Sequence, residues 1–246
     1  MLIYGINPVT EALRAGRVES LRISARADER VRGLLRLAEA QGIGVRQVHR
    51  TELDRAAHGG QHQGVVADVR GFEGCRLDDL LAGAPGPPLL VVLDGIEDPQ
   101  NVGAILRTAA AAGLDGVVRQ ERRAAPLDGA VAKASAGAMA HVKVASVVNI
   151  ARALEALNAA GVWTIGLAGE ARTPYDEIDY TLPTAFVVGA EGAGLRRLVR
   201  ERCDWLVSIP TPGHVQSLNV SVAAGIAVYE AVRQRRQANR SPRSAE

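Results

Sequence analysis

Hydrophobic and polar positions follow two different patterns along this 246-residue chain, and the change falls near residue 89. Upstream, short segments of helical and strand spacing alternate. Pro8 sits in a first helical turn that leads into residues 9–15, and residues 21–24 form a short strand. Val31, Leu34, Leu35, Leu37 and Ala38 lie close to helical spacing within 29–41, where Gly42-Ile-Gly ends the helix. Residues 45–48 and 65–69 read as strands, with a helix opened by Thr51 between them. Residues 71–88 carry a short helix and the stretch Ala-Pro-Gly-Pro-Pro, the signature of a linker.

Downstream the strands become wholly apolar. Leu89 to Leu93 is a continuous hydrophobic run, followed by a polar turn over 94–101 and a helix over 102–112. Strands at 116–118, 141–144, 162–167, 185–188 and 206–209 then alternate with helices at 133–138, 150–160, 195–201 and 218–233. Apolar strands alternating with helices predict a parallel sheet covered on both faces, with ligands beyond the carboxyl ends of its strands. The chain is thus expected to be an α/β protein with a small N-terminal α/β domain at 1–70, a linker at 71–88 and a larger domain at 89–236. The stretch from Gln234, rich in Arg, Ser and Gln, is expected to be disordered, with 237–246 as a basic tail.

Composition narrows the function classes. Hydrophobic content of 47% with a mean hydropathy of +0.03 is that of a soluble globular protein. Aromatic residues make up only 3%, which argues against base stacking as the main mode of any nucleic-acid binding. No apolar run approaches the roughly 20 residues of a membrane span. The N-terminus lacks a charged region and cleavage site, so no signal peptide is expected. Cys75 and Cys203 are far apart and form no CxxC pair, so neither a disulfide framework nor a zinc site is expected. These features together predict a cytoplasmic protein without a metal.

Net charge is +2, yet its distribution is uneven. Lys133 and Lys143 are the only lysines, so arginine carries almost all the positive charge. Residues 1–70 balance to +3 and 233–246 to +4, leaving the middle at −5. Arginine suits bidentate phosphate contacts, so the two ends are candidate RNA or DNA contacts. A genome that favours arginine codons accounts for the same bias.

Three segments at strand ends carry the chemistry. The first is Asp94-Gly-Ile-Glu-Asp-Pro-Gln-Asn-Val-Gly-Ala-Ile-Leu-Arg107. At 100° per residue, Asn101 and Arg107 lie on opposite sides of the helix unless Asn101 precedes it as its cap. Arg107 stands among Ile105, Leu106 and Ala109, where an arginine is either buried with a partner or a solvated surface residue. The second is Gly189-Ala-Glu191-Gly192-Ala-Gly194-Leu195. A glycine turn between strand and helix fits a dinucleotide loop, but it comes late in the chain, and Glu191 would repel a pyrophosphate. The third is Ile209-Pro-Thr-Pro-Gly-His-Val-Gln-Ser217-Leu-Asn219-Val-Ser221, a rigid turn followed by polar groups at a helix start. Ser217 near His214 invites a hydrolase reading, but GxSxG is absent.

Asn101-x-Gly103-x-x-x-Arg107, Gly189-x-Glu191-Gly192-x-Gly194-Leu195, and Ile209-Pro210 followed by Ser217-Leu218-Asn219-Val220-Ser221 occur in this order. Together they resemble the SpoU-type (TrmH-like) RNA ribose 2′-O-methyltransferases. Tyr4-Gly-Ile-Asn7-Pro-Val9 with His62-Gln63-Gly64 resembles the small ribosomal-protein-like domain of the RlmB-type subgroup, which methylates a guanosine of 23S rRNA. The resemblance covers residues 2–235 and implies a SPOUT-type fold with a C-terminal trefoil knot, an exception to the rule against threading. It also implies a homodimer and S-adenosylmethionine as cofactor, with no metal. Catalytic roles fall by resemblance on Arg107, Asn101, Glu191, Ser217 and Asn219. Cofactor contacts fall on Gly189, Ile209, Leu218, Leu167 and Gly194, and RNA contacts on Tyr4, Asn7, His62 and Gln63. The chain departs from the pattern at Ala140, where a glutamate is common, and at Thr211-Pro212, which replaces a methionine and a small residue. Two other readings fit: a tRNA ribose methyltransferase of the same family, and a non-catalytic RNA-binding assembly factor.

Overall fold

The computed structural model describes residues 1–24, 29–71, 74–213, 215 and 217–240. It divides into two compact units. The first comprises Met1–Glu73, Asp98–Ala110 and Ala125–His141; the second comprises Gly74–Glu97, Ala111–Ala124 and Val142–Glu246.

In chain order the elements are β1 (Leu2–Tyr4), α1 (Ile6–Arg14), β2 (Val18–Ser24), α2 (Glu29–Ala40), β3 (Gly44–Val48), α3 (Arg50–Ala56), β4 (Val65–Val69) and α4 (Leu77–Ala82). They continue as β5 (Leu89–Asp94), α5 (Pro99–Ala112), β6 (Gly116–Gln120), α6 (Gly129–Ala134), β7 (Val144–Val147), α7 (Ile150–Ala159) and β8 (Trp163–Leu167). The last are β9 (Thr173–Pro174), β10 (Thr184–Gly189), α8 (Arg197–Arg202), β11 (Trp205–Ser208) and α9 (Val220–Ala238).

The first unit is built on a four-stranded sheet of order β1-β4-β2-β3, antiparallel except for the parallel β2–β3 pair. Val9, Ala12 and Leu13 of α1 and Val31, Leu34 and Ala38 of α2 are buried, the apolar stripes that their spacing predicts. The α5 and α6 segments belong to this unit by packing. Gly103 of α5 lies so close to Ala134 and Ser135 that a Cβ there would collide with backbone.

The second unit carries a seven-stranded sheet of order β7-β6-β5-β10-β8-β11-β9, parallel throughout. Every residue of β5 is buried, and so is β10 up to its last residue. That is the continuous apolar signature of a sheet covered on both faces. One face packs Leu90, Val92, Ala185 and Val187 against Leu154 and Leu157 of α7. The linker segment contributes to that core: Leu80 of α4 is fully buried in it.

Several elements differ from expectation, each for a local reason. Helix α5 begins at Pro99, so Asn101 lies in its first turn and is not its cap; the Asp98 carboxylate takes the amides of Gln100 and Asn101 instead, at 3.0 and 3.3 Å. Helix α6 starts at Gly129 rather than Lys133, because the Asp128 carboxylate accepts from the amides of Ala130 and Val131. Strand β7 begins at Val144, three residues later than expected, because a 3₁₀ turn at Ala138–Ala140 and a His141–Glu11 bond of 2.8 Å occupy the preceding stretch. Helix α9 runs to Ala238, through the start of the supposed disordered tail. The Arg235 side chain anchors it, donating to the carbonyls of Tyr180 (2.9 Å), Pro87 (2.6 Å), Pro88 (3.0 Å) and Leu182 (2.8 Å). The remaining expected tail, 241–246, lies outside the described residues, as does His214.

Candidate functional site

The carboxyl ends of the central strands of the second unit converge on one edge. Gly189 ends β10 and stands opposite Asp94, the last residue of β5. Leu167 ends β8 beside Val207 of β11, and Ile209 follows β11 directly. Leu167, Gly189 and Ile209 thus share the sheet edge at which a parallel α/β sheet takes its ligand.

The loop after β10 folds back onto that edge. Ala190 and Gly194 form an isolated bridge, with the Gly194 amide donating to the Ala190 carbonyl at 2.8 Å. Gly194 has φ +65°, a region where a side chain is strained. The returning backbone of Gly194 and Leu195 fills the place that a Cβ on Gly189 would need, closer than the 3.0 Å that real Cβ atoms keep. Glycine at 189 is therefore demanded by close approach, and at 194 by conformation.

Glu191 and Asn219 meet across this edge: the Asn219 amide nitrogen donates to Glu191 Oε1 at 2.6 Å. Asn219 Oδ1 faces the other way and caps α9, accepting from the amides of Ser221 (2.9 Å) and Val222 (3.4 Å) and from the Ser221 hydroxyl (2.6 Å). One amide thus joins the glycine loop to the start of the last helix. Ser217 is exposed and has no side-chain hydrogen bond among the described residues; Leu218 is half-buried.

Three residues at this edge escape sequence reasoning. The Asp94 side chain is fully inaccessible and pairs with the Arg196 guanidinium. Arg196 donates its backbone amide (2.8 Å) and Nε (2.6 Å) to Asp94, and Nη2 to Gln120 Oε1 (2.7 Å). Held extended in this way, Arg196 cannot enter α8, which starts at Arg197 rather than at Leu195. The signal available was an aspartate closing an otherwise apolar strand. Arg119 near the end of β6 is also buried, with Nε on the Gln120 carbonyl at 3.2 Å and no ion pair among the described residues. Burial pushes its guanidinium pKa down.

The remaining predicted residues lie in the first unit. Asn101 is buried, whereas Arg107 is exposed, the solvated one of the two alternatives its sequence left open, and it carries no ion pair among the described residues. The N-terminal motif and the 61–64 loop come together. Gln63 Oε1 accepts the Ile6 amide at 3.0 Å, and Lys133 lies 5.6 Å over the Tyr4 ring while donating to the Gln61 carbonyl. Asn7 and Gln63 are exposed, but His62 is 4% exposed with both ring nitrogens engaged. Its Nδ1 accepts the Gly64 amide at 3.0 Å and its Nε2 meets Asp54 at 2.9 Å. His62 thus shapes the loop from inside.

No group of three or more His, Cys, Asp or Glu positioned to hold a metal ion occurs among the described residues. No helix among them is long and apolar enough to cross a membrane. The free thiols are poor nucleophiles: burial raises Cys75, and burial followed by Asp204 and Asp94 pushes Cys203 up to about 12.

Comparison with known proteins bears directly on this geometry. The profile of the SpoU rRNA Methylase family matches residues 88–229, and that of RNA 2′-O ribose methyltransferase substrate binding matches 2–74. The chain is 46% identical to the 23S rRNA (guanosine-2′-O-)-methyltransferase RlmB of Pseudomonas syringae pv. tomato, over 98% of each chain. It is 44% identical to the putative TrmH family tRNA/rRNA methyltransferase YacO of Bacillus subtilis, over 95% of each. Among solved structures it is similar to the SpoU methyltransferase AviRb of Streptomyces viridochromogenes in complex with AdoMet. That match has a TM-score of 0.80 at 29% identity and covers 96% of this chain and 91% of the other.

Proposed function

The chain belongs to the SpoU rRNA methylase family, and from that premise we propose that it methylates a ribose 2′-hydroxyl of RNA with S-adenosylmethionine, the target being a guanosine of 23S rRNA. The observation that carries this reading is the junction of Glu191, Asn219 and the glycine cradle at the carboxyl edge of the sheet. The loop after β10 leaves exposed backbone at the sheet edge, with the Glu191 and Asn219 side chains beside it. S-adenosylmethionine suits such an edge, since the exposed Gly192 and Gly194 carry no side chains to cover the backbone, which offers hydrogen bonds to a zwitterion. Gly189, Gly194, Leu167, Ile209 and Leu218 would hold it. When bound, its sulfonium supplies an activated methyl group with a neutral leaving group.

The chain's own residues would orient the hydroxyl and ease loss of its proton. Arg107 is a poor base, since a guanidinium has donors only and no lone pair free to accept the hydroxyl proton. Its exposure on α5 favours a role in gripping a neighbouring phosphate and stabilising developing alkoxide charge. Asn219, held between Glu191 and its own helix, fixes the rim against which Ser217 and the ribose are aligned. Tyr4, Asn7 and Gln63 at the N-terminal motif would contact RNA, within a substrate-binding domain at 1–70 joined by 71–88 to a methyltransferase domain at 89–236. The two matching profiles support that division.

A homodimer acting in the cytoplasm completes the proposal. Val222 and Tyr229, seven residues apart on α9, are 49% and 51% exposed, an apolar stripe suited to a second copy. A trefoil knot accords with the strand order. The chain leaves β11, which lies beyond β8, and must return to pack α9 against β10.

Tritium transfer from labelled S-adenosylmethionine to 23S rRNA fragments and to bulk tRNA tests the reading. Incorporation at a guanosine ribose of the rRNA is expected. Incorporation into tRNA alone moves the substrate to tRNA, and none into either leaves an RNA-binding factor.

A further inference from the structure

We propose that Asp94 is a positioning residue for the cofactor loop: its buried carboxylate grips Arg196 and thereby sets the backbone from Gly189 to Leu195 in its ligand-holding form. The inference rests on the reading that this loop holds S-adenosylmethionine.

A carboxylate with no solvent access must be fully partnered or it destabilises the fold. Among the described residues Asp94 meets that demand through Arg196, 102 positions away in the chain. The backbone amide of Arg196 donates to Oδ2 and its guanidinium Nε to Oδ1, so both carboxylate oxygens are engaged by the same residue. A second guanidinium nitrogen reaches Gln120 Oε1 at the end of the neighbouring strand β6. Main chain and side chain are fixed together, leaving Arg196 little freedom.

The register shows why this matters to the loop. Asp94 stands beside Gly189, the residue from which the loop departs. Gly194 and Leu195, the residues by which it returns, lie against Gly189. Arg196 comes next and is held by Asp94. The loop therefore leaves and returns over one pair of strand ends, its departure fixed by the sheet and its return by the carboxylate. Between these anchors Glu191, Gly192, Ala193 and Gly194 are exposed, and the Gly194–Ala190 bond and the Glu191–Asn219 bond tie them. Asp94 touches no ligand itself, because it is sealed beneath the loop.

Asp94→Asn keeps the shape but removes the charge and turns one oxygen acceptor into a donor facing donors. Arg196→Lys keeps the charge and the backbone bond but loses Nε, so it serves where the first variant folds poorly. Calorimetry with S-adenosylmethionine, scored per folded molecule, is expected to show Kd raised about 10- to 100-fold in either variant. kcat at saturating cofactor should change far less, and the KM for RNA should stay unchanged. Hydrogen exchange on the ligand-free protein should speed up at the amides of residues 192–196 while the core of β5 and β10 stays protected. A purely structural role would lower the melting temperature and leave Kd of the folded fraction untouched. Variants that bind the cofactor within twofold of wild type, with unchanged exchange at 192–196, overturn the proposal and leave the cofactor reading standing. Wild-type protein that binds no S-adenosylmethionine overturns both.

Discussion

Replacing Gly189 by alanine tests the cradle at its tightest point. The new Cβ would fall on the carbonyl group of Gly194 and the amide nitrogen of Leu195, all backbone atoms and all nearer than the 3.0 Å that real contacts keep. No side-chain rotation relieves that overlap, so the returning limb must move away by roughly an ångström, at a cost of about 1–3 kcal/mol for overpacking. If the loop escapes by leaving its ligand-holding form, the same energy appears as lost affinity, roughly 5- to 150-fold in Kd for S-adenosylmethionine. Gly169 is the control: it follows β8 at the same sheet edge, and a Cβ there meets nothing within 4 Å. Calorimetry and thermal melting of both variants decide the matter. Gly169→Ala is expected to bind as wild type does. A Gly189→Ala protein that melts with wild type and binds the cofactor within twofold of it would refute the reasoning, because the loop would then have room that the structure denies it.

Three further outcomes are expected. Arg107→Ala should keep cofactor affinity and lose methyl transfer, as single-turnover rates at saturating S-adenosylmethionine would show. Arg235→Ala removes four bonds to carbonyls and should destabilise by about 3 kcal/mol, lowering Tm by roughly 6–12 °C in a melting scan. Cys203 is raised from 9.0 to about 12 in the folded protein, so its neutral thiol contributes stability that is intact below pH 9 and lost as pH climbs toward 12. Denaturant midpoints of wild type and Cys203→Ala should accordingly keep a constant gap up to pH 9, with wild type losing ground above it.

The residues that sequence reading finds and those it misses differ in the range of their interactions. Strands β5, β8 and β10 are legible because a parallel strand buried on both faces is a run of apolar residues, visible within six positions. Asn219 and Glu191 stand out because polar groups and glycines at the junctions of elements have few local uses. The spacing of Asn101 allows it to be a cap, yet the aspartate three residues earlier already holds that place. The Asp94–Arg196 pair could not be seen this way. Its members are 102 positions apart, and each has an ordinary local explanation, as a turn aspartate or as a surface arginine beside a helix. Only the sheet order, which sets β10 beside β5, brings Asp94 under the returning loop. Arg119 fails for the opposite reason: an apolar strand pattern tolerates one long side chain without announcing that it is buried. Motifs therefore mark where this chain meets its ligand, while the groups that hold those motifs in shape come from pairings across the sheet. Mutation at Asp94 tests that division, since no motif residue changes and the loop is nonetheless expected to lose its form.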